Sequence, residues 1–353
     1  MPKRPHEVYV ISPPGLEAIT ARELRALGLK VPVMAHGGLP VRMTTSEVYA
    51  ANLHLRTASR VLVRAARFPA VDFAELARGI RSIGWDRWLH PGQPLELRVD
   101  SVASRLYHTG AIEERVRGLL GPFGGATVRV RLDHDTATVS IDSSGEHLHR
   151  RGWRTDVAKA PLRETLAGAM LLAVGYNGKF PLVDPMCGSG TIALEAASIA
   201  SGHAPGRSRN FAFETWPSFD AATWASVRDK AAAAEHEPTV TITAGDRDAG
   251  AVAATRANAE RAGLHIDVRQ RALSAPDDPT AWIITNPPYG QRVGGGDMRD
   301  LYDQFGKVVA GRTGRLAFLA TDRNLASRVA TPIDELFRTS NGGIPVTCFA
   351  RKD

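Results

Sequence analysis

From Leu162 onward the chain keeps a rhythm that few folds can accommodate, short apolar runs separated by longer stretches of helical periodicity. Leu162–Gly175 reads as a helix, Leu182-Val183 as the end of a first strand, and Ser189–Ser201 as the helix behind it. Val240–Thr243, Ile266–Arg269, Ile283-Ile284, Arg315–Ala320 and Val346–Ala350 read as further strands, with helices over Ala249–Gly263 and Leu301–Ala310. Pro205–Glu237 interrupts the rhythm as a long, partly helical insertion holding Trp216 and Trp224. Strands alternating with helices of this length imply crossovers that cover both faces of a mostly parallel sheet. Residues 161–353 are therefore expected to form an α/β, Rossmann-like, doubly wound sheet. Such sheets bind ligands at the carboxyl ends of their strands.

The first part of the chain has another pattern. Strands at Val8–Ile11, Leu39–Met43 and Val61–Phe68, with helices at Leu16–Leu27 and Thr45–His54, suggest a small α+β unit over 1–68. A second unit over 69–151 is read from a helix at Asp72–Ile83, a loop at Trp85–Trp88, a strand at Leu95–Val99 and a helix at Thr109–Leu120. A hairpin over Thr127–Leu132 and Ala137–Ile141 follows, with one more strand at Glu146–Arg151. Residues 152–160 read as a linker. Arg56, Arg60, Arg64 and Arg67 would line one exposed side of the first unit, which is equally what a solvated face looks like. His147 and His149 point the same way in a strand, but no third metal ligand accompanies them.

Charge separates the two parts. Residues 1–155 hold 22 Lys/Arg against 15 Asp/Glu, and residues 156–353 hold 22 of each, so the whole excess of +7 lies in the first part. Twenty of those 22 cations are arginine, which suits phosphate forks and base stacking. An arginine-rich codon bias explains the choice of cation but not the uneven balance. Nucleic acid is the partner this predicts. Arg150, Arg151, Trp153 and Arg154, at the junction, either contact RNA by charge and stacking or dock one domain on the other.

Two stretches carry chemistry. Asp184-Pro-Met-Cys-Gly-Ser-Gly-Thr191 joins a strand to a helix, and Gly188-x-Gly190 permits a tight turn with close backbone approach. That spacing also fits a nicotinamide dinucleotide. However, Asp184 would repel a pyrophosphate, and Asp246 lies far beyond the ~20 residues at which the ribose-binding acid is expected. S-adenosylmethionine fits better: its cationic groups suit Asp184, its ribose hydroxyls suit Asp246, and its adenine could lie near Arg247 and Arg271–Leu273. The second stretch is Thr285-Asn-Pro-Pro-Tyr-Gly290. Two prolines fix an extended turn that presents Asn286 and Tyr289 at a strand end. An acceptor carbonyl beside an aromatic ring would grip a planar group bearing an amine. Alone, the stretch fits a strand-ending turn as well as a site.

With Gly245-Asp-Arg-Asp248 between them, these stretches resemble the sequence motifs of class I amino-methyltransferases. Ser144–Arg154 and Ala160–Leu166, with the Ala204-Pro-Gly206 insertion, resemble the THUMP-containing RNA guanine-N2 methyltransferases, most closely the bacterial 23S rRNA enzymes of the RlmL type. The resemblance implies a ferredoxin-like unit, a THUMP RNA-binding domain and a methyltransferase domain. It implies a donor, S-adenosylmethionine, held by Asp184, Met186, Cys187, Gly188, Ser189, Gly190, Thr191, Asp246 and Arg247, with Thr165 and Asn286. Asn286, Pro287 and Tyr289 would carry the chemistry. Arg150, Arg151, Trp153, Arg154, Pro288 and Arg292 would contact RNA, and Arg292 with Gly294–Gly296 would close over it. An acid holding the adenine amine is not evident after the third strand, where Asp267 and Arg271 are the nearest candidates. The longer fusions of this type continue into a second methyltransferase, so one activity is expected here.

The substrate suggested is 23S rRNA, with tRNA second; adenine N6 is a competing target. Rival classes are a nicotinamide-dependent oxidoreductase and a non-catalytic RNA-binding protein. Cys187 and Cys348 are too far apart in sequence for metal-ligand spacing, which fits a reducing, cytoplasmic setting. No metal is expected, no apolar run reaches the ~20 residues of a membrane span, and a monomer is expected.

Overall fold

The computed structural model describes residues 5–154, 162–273, 278–289, 298–330 and 332–352. In the first part, β1 (His6–Ile11), α1 (Glu17–Ala26), β2 (Gly38–Met43), α2 (Thr45–His54) and β3 (Arg60–Pro69) are followed by α3 (Phe73–Arg81) and the short β4 (His90–Pro91). Then come β5 (Glu96–Val102), α4 (Thr109–Leu120), the short β6 (Phe123–Gly124), β7 (Thr127–Asp133) and β8 (Thr136–Asp142). Local signals fix these helices. Thr44 and Glu47 close a reciprocal capping box on α2, and Asp72 caps α3 by accepting from the Glu75 amide.

β3 pairs with β8, so the two small units share one six-stranded sheet in the order β2-β1-β3-β8-β7-β5. One strand expected at Glu146–Arg151 does not form. Asp142 Oδ1 accepts from the Ser144 and Gly145 amides, and Gly145 takes φ +74°, which turns the chain away from the sheet. The expected loop at Trp85–Trp88 is a single 3₁₀ turn with both tryptophans buried.

The second part contains α5 (Glu164–Ala173), β9 (Leu182–Asp184), α6 (Thr191–Ala200), α7 (Ala221–Ala232), β10 (Ile242–Asp246), α8 (Ala249–Ala262), β11 (Asp267–Gln270) and β12 (Trp282–Thr285). α9 (Met298–Val309), β13 (Leu316–Ala320), α10 (Arg323–Val329), β14 (Ile333–Asn341) and β15 (Ile344–Arg351) complete it. The seven strands order as β11-β10-β9-β12-β13-β15-β14, all parallel except β15, which runs antiparallel to both its neighbours. β9, β12 and β13 are buried throughout, which is why they read as continuous apolar runs. β9 connects outward to β10 and β11, and the chain then returns to β12 on its other side. That reversal makes the carboxyl ends of β9 and β12 the crevice where this fold takes ligands.

The insertion belongs to the core of the first part. Phe213 stacks on Tyr49 at 4.2 Å, Trp216 meets Trp88 edge-on at 4.9 Å, and the Asp220 amide donates to Tyr49 Oη at 3.1 Å. At the junction, Glu195 of α6 receives Arg56 Nη1 on Oε2 and Arg151 Nε on Oε1, both at 3.0 Å. The two halves are thus tied by a buried ionic cluster as well as by aromatic packing. No helix among the described residues is long and apolar enough to cross a membrane.

Candidate active site

Asp184 ends β9 and Thr285 ends β12, so the sheet order alone brings them together. Thr285 Oγ1 donates to Asp184 Oδ1 at 2.6 Å, and the Met186 amide donates to the same oxygen at 3.3 Å. Asp184 is 1% exposed. Burial pushes its carboxyl up to about 7, opposed by the Thr285 and Met186 bonds and reinforced by Asp246.

The turn from Asp184 to Thr191 is held from behind. Asp246, at the end of β10, accepts from the Gly188 amide at 2.9 Å through Oδ2, and the Cys187 amide donates to the Gly245 carbonyl at 2.9 Å. From α8, Thr255 Oγ1 donates to the Gly188 carbonyl at 2.9 Å, and Asn258 Nδ2 donates to the Ser189 carbonyl at 3.1 Å. Gly190 adopts φ +84°, and a Cβ there would lie 2.7 Å from Thr255 Cγ2. Only glycine satisfies both the conformation and the contact. Thr255 and Asn258 escaped sequence reasoning because they sit mid-helix, with no local pattern to mark them. Cys187 is buried and its thiol is pushed up by burial and by Asp184, so it acts as wall rather than nucleophile.

Arg247 follows Asp246 at the same sheet edge, and its carbonyl accepts from Gln270 Nε2 at 3.5 Å. Gln270, not Asp267, is level with Asp246 in the register. Asp267 begins its strand, away from the carboxyl edge, and is bound by Arg269 at 2.6 Å, which removes it as an adenine contact. The Arg271 amide donates to the Asp246 carbonyl at 2.9 Å and keeps the neighbouring turn at the crevice.

Asn286 and Pro287 follow β12 directly. Asn286 Oδ1 is buried and has no hydrogen-bond partner among the described residues. Tyr289, half-buried, takes a hydrogen bond on its hydroxyl from Asn341 Nδ2 at 2.7 Å and another from the Asn286 side chain. The Asn286 amide is therefore anchored through its nitrogen, and its oxygen is left over. Pro288 is partly exposed beside them. Arg292, Gly290 and Gly294–Gly296 lie outside the described residues, as do 155–161 of the linker region.

Thr165 is buried near the start of α5. Its neighbour Glu164 was not foreseen: it pairs with Arg154 at 3.1 Å, its Oε2 is buried without a partner, and burial raises its carboxyl to about 7. Arg151, Trp153 and Arg154, expected at the RNA, are turned into the protein. Arg151 is 2% exposed and gives its guanidinium to Glu195, the Leu148 carbonyl and the Arg56 carbonyl. Arg154 is turned to Glu164, the Leu162 carbonyl and Thr191, and Trp153 is packed in the core of the second part. Arg150 alone of the four is well exposed, with Glu146 at 2.8 Å. Arg56 is buried at the junction and Arg60 is paired with Asp142, so these two do not share an exposed face with Arg64 and Arg67.

Comparison with known proteins follows the same division of the chain. Residues 151–347 match the RMKL-like methyltransferase domain, and residues 7–62 match the RlmL ferredoxin-like domain. A Synechocystis protein provisionally named an RNA methyltransferase is 32% identical over 357 residues, covering 94% of this chain and 93% of that one. The ribosomal RNA large subunit methyltransferase K/L of Marinomonas is 30% identical over 96% of this chain. The chain spans about half the length of that relative, 52%. Among solved structures, SMU.472, described as a methyltransferase complexed with SAH, superposes with a TM-score of 0.89 at 29% identity, covering 99% of this chain and 98% of that one.

Proposed function

The chain belongs to the RMKL-like methyltransferase family, and from that premise we propose that it transfers a methyl group from S-adenosylmethionine to the exocyclic N2 amine of a guanine in RNA, with 23S rRNA as the substrate. The observation that carries this reading is Asn286 Oδ1, a buried acceptor with no partner among the described residues. Such an atom costs about 1–3 kcal/mol to leave unsatisfied, and an N–H entering the crevice relieves that cost. The names of the relatives support RNA as the source of that amine.

The residues fit the donor. Gly188 and Gly190 give it backbone clearance, Asp246 stands at the strand end where a ribose is held, and Asp184 and Glu164 are buried acids suited to cationic groups. When bound, the donor supplies an electrophilic methyl on a sulfonium. The protein's part is positioning. Asn286 Oδ1 and the Pro287 carbonyl accept the two amine N–H bonds and hold the nitrogen lone pair in one direction. Asn286 is neutral, so it orients the amine and takes no proton from it. Tyr289, tethered at its hydroxyl, offers its ring to a base that has left its helix.

The acids make donor binding pH-dependent. A carboxyl held near 7 by burial is largely neutral at pH 6 and must ionise to attract a cation. Affinity for S-adenosylhomocysteine, which keeps the ammonium, should rise severalfold between about pH 6 and 8, with proton release below pH 7. In the free protein the sign is opposite for stability. These folded-state values are raised, so their contribution is full below the ordinary carboxylate range and is lost as pH rises through about 7. Titration calorimetry at several pH values checks this, and Asp184→Asn should weaken the pH dependence to the share left by Glu164. A wild-type profile already flat across that window would exclude the role given to Asp184.

The substrate assignment is tested by mass spectrometry of nucleosides from 23S rRNA and tRNA of a deletion strain. Loss of N2-methylguanosine from one 23S rRNA site, restored by the gene, is expected. Loss confined to tRNA, or loss of N6-methyladenosine instead, would overturn it.

A further inference from the structure

A cavity of about 760 Å³ opens in the first part of the chain, between β1, α2, β3, the Ile83–Trp88 turn and the insertion. Asp184, Asp246 and Asn286 take no part in it. Arg64, Arg67 and Arg87 line it together with Trp88 and Trp216. In a regular strand Arg64 and Arg67, three residues apart, would point to opposite faces. β3 carries a register shift between Arg64 and Ala66, and the extra residue lets both arginines line the same space.

The lining is built for an anion with a flat ring. Among the described residues none of the three arginines is paired with a carboxylate; Arg64 lies over the Tyr9 ring and Arg87 over Trp88. The one carboxylate in the lining, Glu7, is turned to Arg42 at 3.5 Å. Two donors of the lining residues, Arg64 Nε and Trp216 Nε1, are buried with no acceptor among the described residues. Trp216 is itself 7% exposed. Donors without acceptors, guanidinium groups without counter-ions and two indoles are what a nucleoside phosphate satisfies. The volume falls within the ~300–1,000 Å³ of small-ligand sites. A paired duplex shows its backbone and not its base faces, so it would leave the indoles unused.

We propose that this cavity holds one unpaired nucleotide of the RNA substrate, its base against Trp88 and Trp216 and its phosphates on Arg64, Arg67 and Arg87. Only the source of the nucleotide rests on the RNA reading above; the cavity's chemistry stands apart from it. A second grip of this kind lets the enzyme hold RNA by a segment distinct from the guanine it methylates.

The test uses the full chain and reads binding, not turnover, so a failure of the methyl-transfer reading does not decide it. Anisotropy of a labelled short single-stranded RNA is followed for the wild type and for an Arg67→Glu/Arg87→Glu variant, both changes being at exposed positions. The variant should bind the RNA at least tenfold more weakly, with the salt slope reduced by about 1.4, the share of two phosphates that the arginines no longer neutralise. Guanosine 5′-monophosphate should displace the RNA and quench tryptophan fluorescence in the wild type. Trp216→Phe, which keeps the ring and removes the donor, should weaken that displacement severalfold. S-adenosylhomocysteine affinity should be unchanged in both variants, which reports an intact fold. Unchanged RNA affinity in the arginine variant overturns the proposal. So does inorganic phosphate displacing RNA as well as the nucleotide does, or a protein that binds the mononucleotide but not the RNA.

Discussion

Asn286→Ala should lower methyl transfer to RNA by about three orders of magnitude, the upper end of what removing one preorganised polar contact costs, while affinity for S-adenosylhomocysteine stays within about twofold. The split follows from geometry. Among the described residues Asn286 Oδ1 has no partner, and the bond that the Asn286 nitrogen gives to Tyr289 is no part of the donor turn, so alanine leaves that turn intact. That turn is fixed instead by Asp246, Thr255 and Asn258. What alanine loses is the acceptor that orients a weakly nucleophilic, ring-conjugated amine. Tyr289→Phe serves as the graded comparison. It keeps the ring but frees both Asn286 and Asn341, so it should cost less than the alanine change and show it in turnover more than in donor binding. Single-turnover transfer of labelled methyl to total RNA, beside calorimetry, separates the two quantities. Activity surviving in Asn286→Ala within a few-fold would remove Asn286 from the chemistry.

That Asp184, Gly188, Gly190, Asp246 and Asn286 share one sheet edge was legible in the sequence for one physical reason. Each lies at the carboxyl end of a strand or in the turn just beyond it, and parallel crossovers bring those ends to the same sheet edge. Local pattern therefore placed these residues together in space. Where partners are distant in sequence, local pattern carries no signal. Arg151 and Arg154 read as RNA contacts because arginine near tryptophan is ambiguous; their fates were decided by Glu195 and Glu164, on helices of the following domain. The pairing of β3 with β8, which merges two units into one sheet, is of the same kind. β14 was missed for a different reason. As the edge strand of the sheet it keeps Asp334 and Arg338 exposed, and alternation broken by a bulge between Glu335 and Phe337 does not look like a strand. The insertion misled in the opposite sense: Trp216 and Trp224 lie within the second half of the sequence but pack in the core of the first.

Glu195→Gln is expected to destabilise the whole chain by about 3–5 kcal/mol, the cost of removing one partner from a buried ionic group. Glu195 is 2% exposed, and its two oxygens each take one arginine, Arg56 from the first part of the chain and Arg151 from the junction. Arg56 is held in place by further bonds to Ser198 Oγ and the His203 carbonyl, and Arg151 by the Leu148 and Arg56 carbonyls. Neither guanidinium can swing out to water without breaking those bonds. Glutamine would leave two cations side by side with no countercharge between them, and their repulsion adds to the desolvation. The effect should reach the active site, because the helix carrying Glu195 begins at Thr191, the last residue of the donor turn. A weaker hold on that helix lowers donor affinity as well as stability, although Glu195 itself makes none of the hydrogen bonds given above for the donor turn. Denaturant unfolding followed by circular dichroism should show a lower midpoint, and Arg56→Met added to Glu195→Gln should recover part of the loss by removing one stranded charge. If Glu195→Gln costs under about 1 kcal/mol, or if the second change only adds to the first, the cluster is not an ionic clamp and packing joins the two halves, Leu16 and Ile19 on the second core and the aromatics of the insertion on the first.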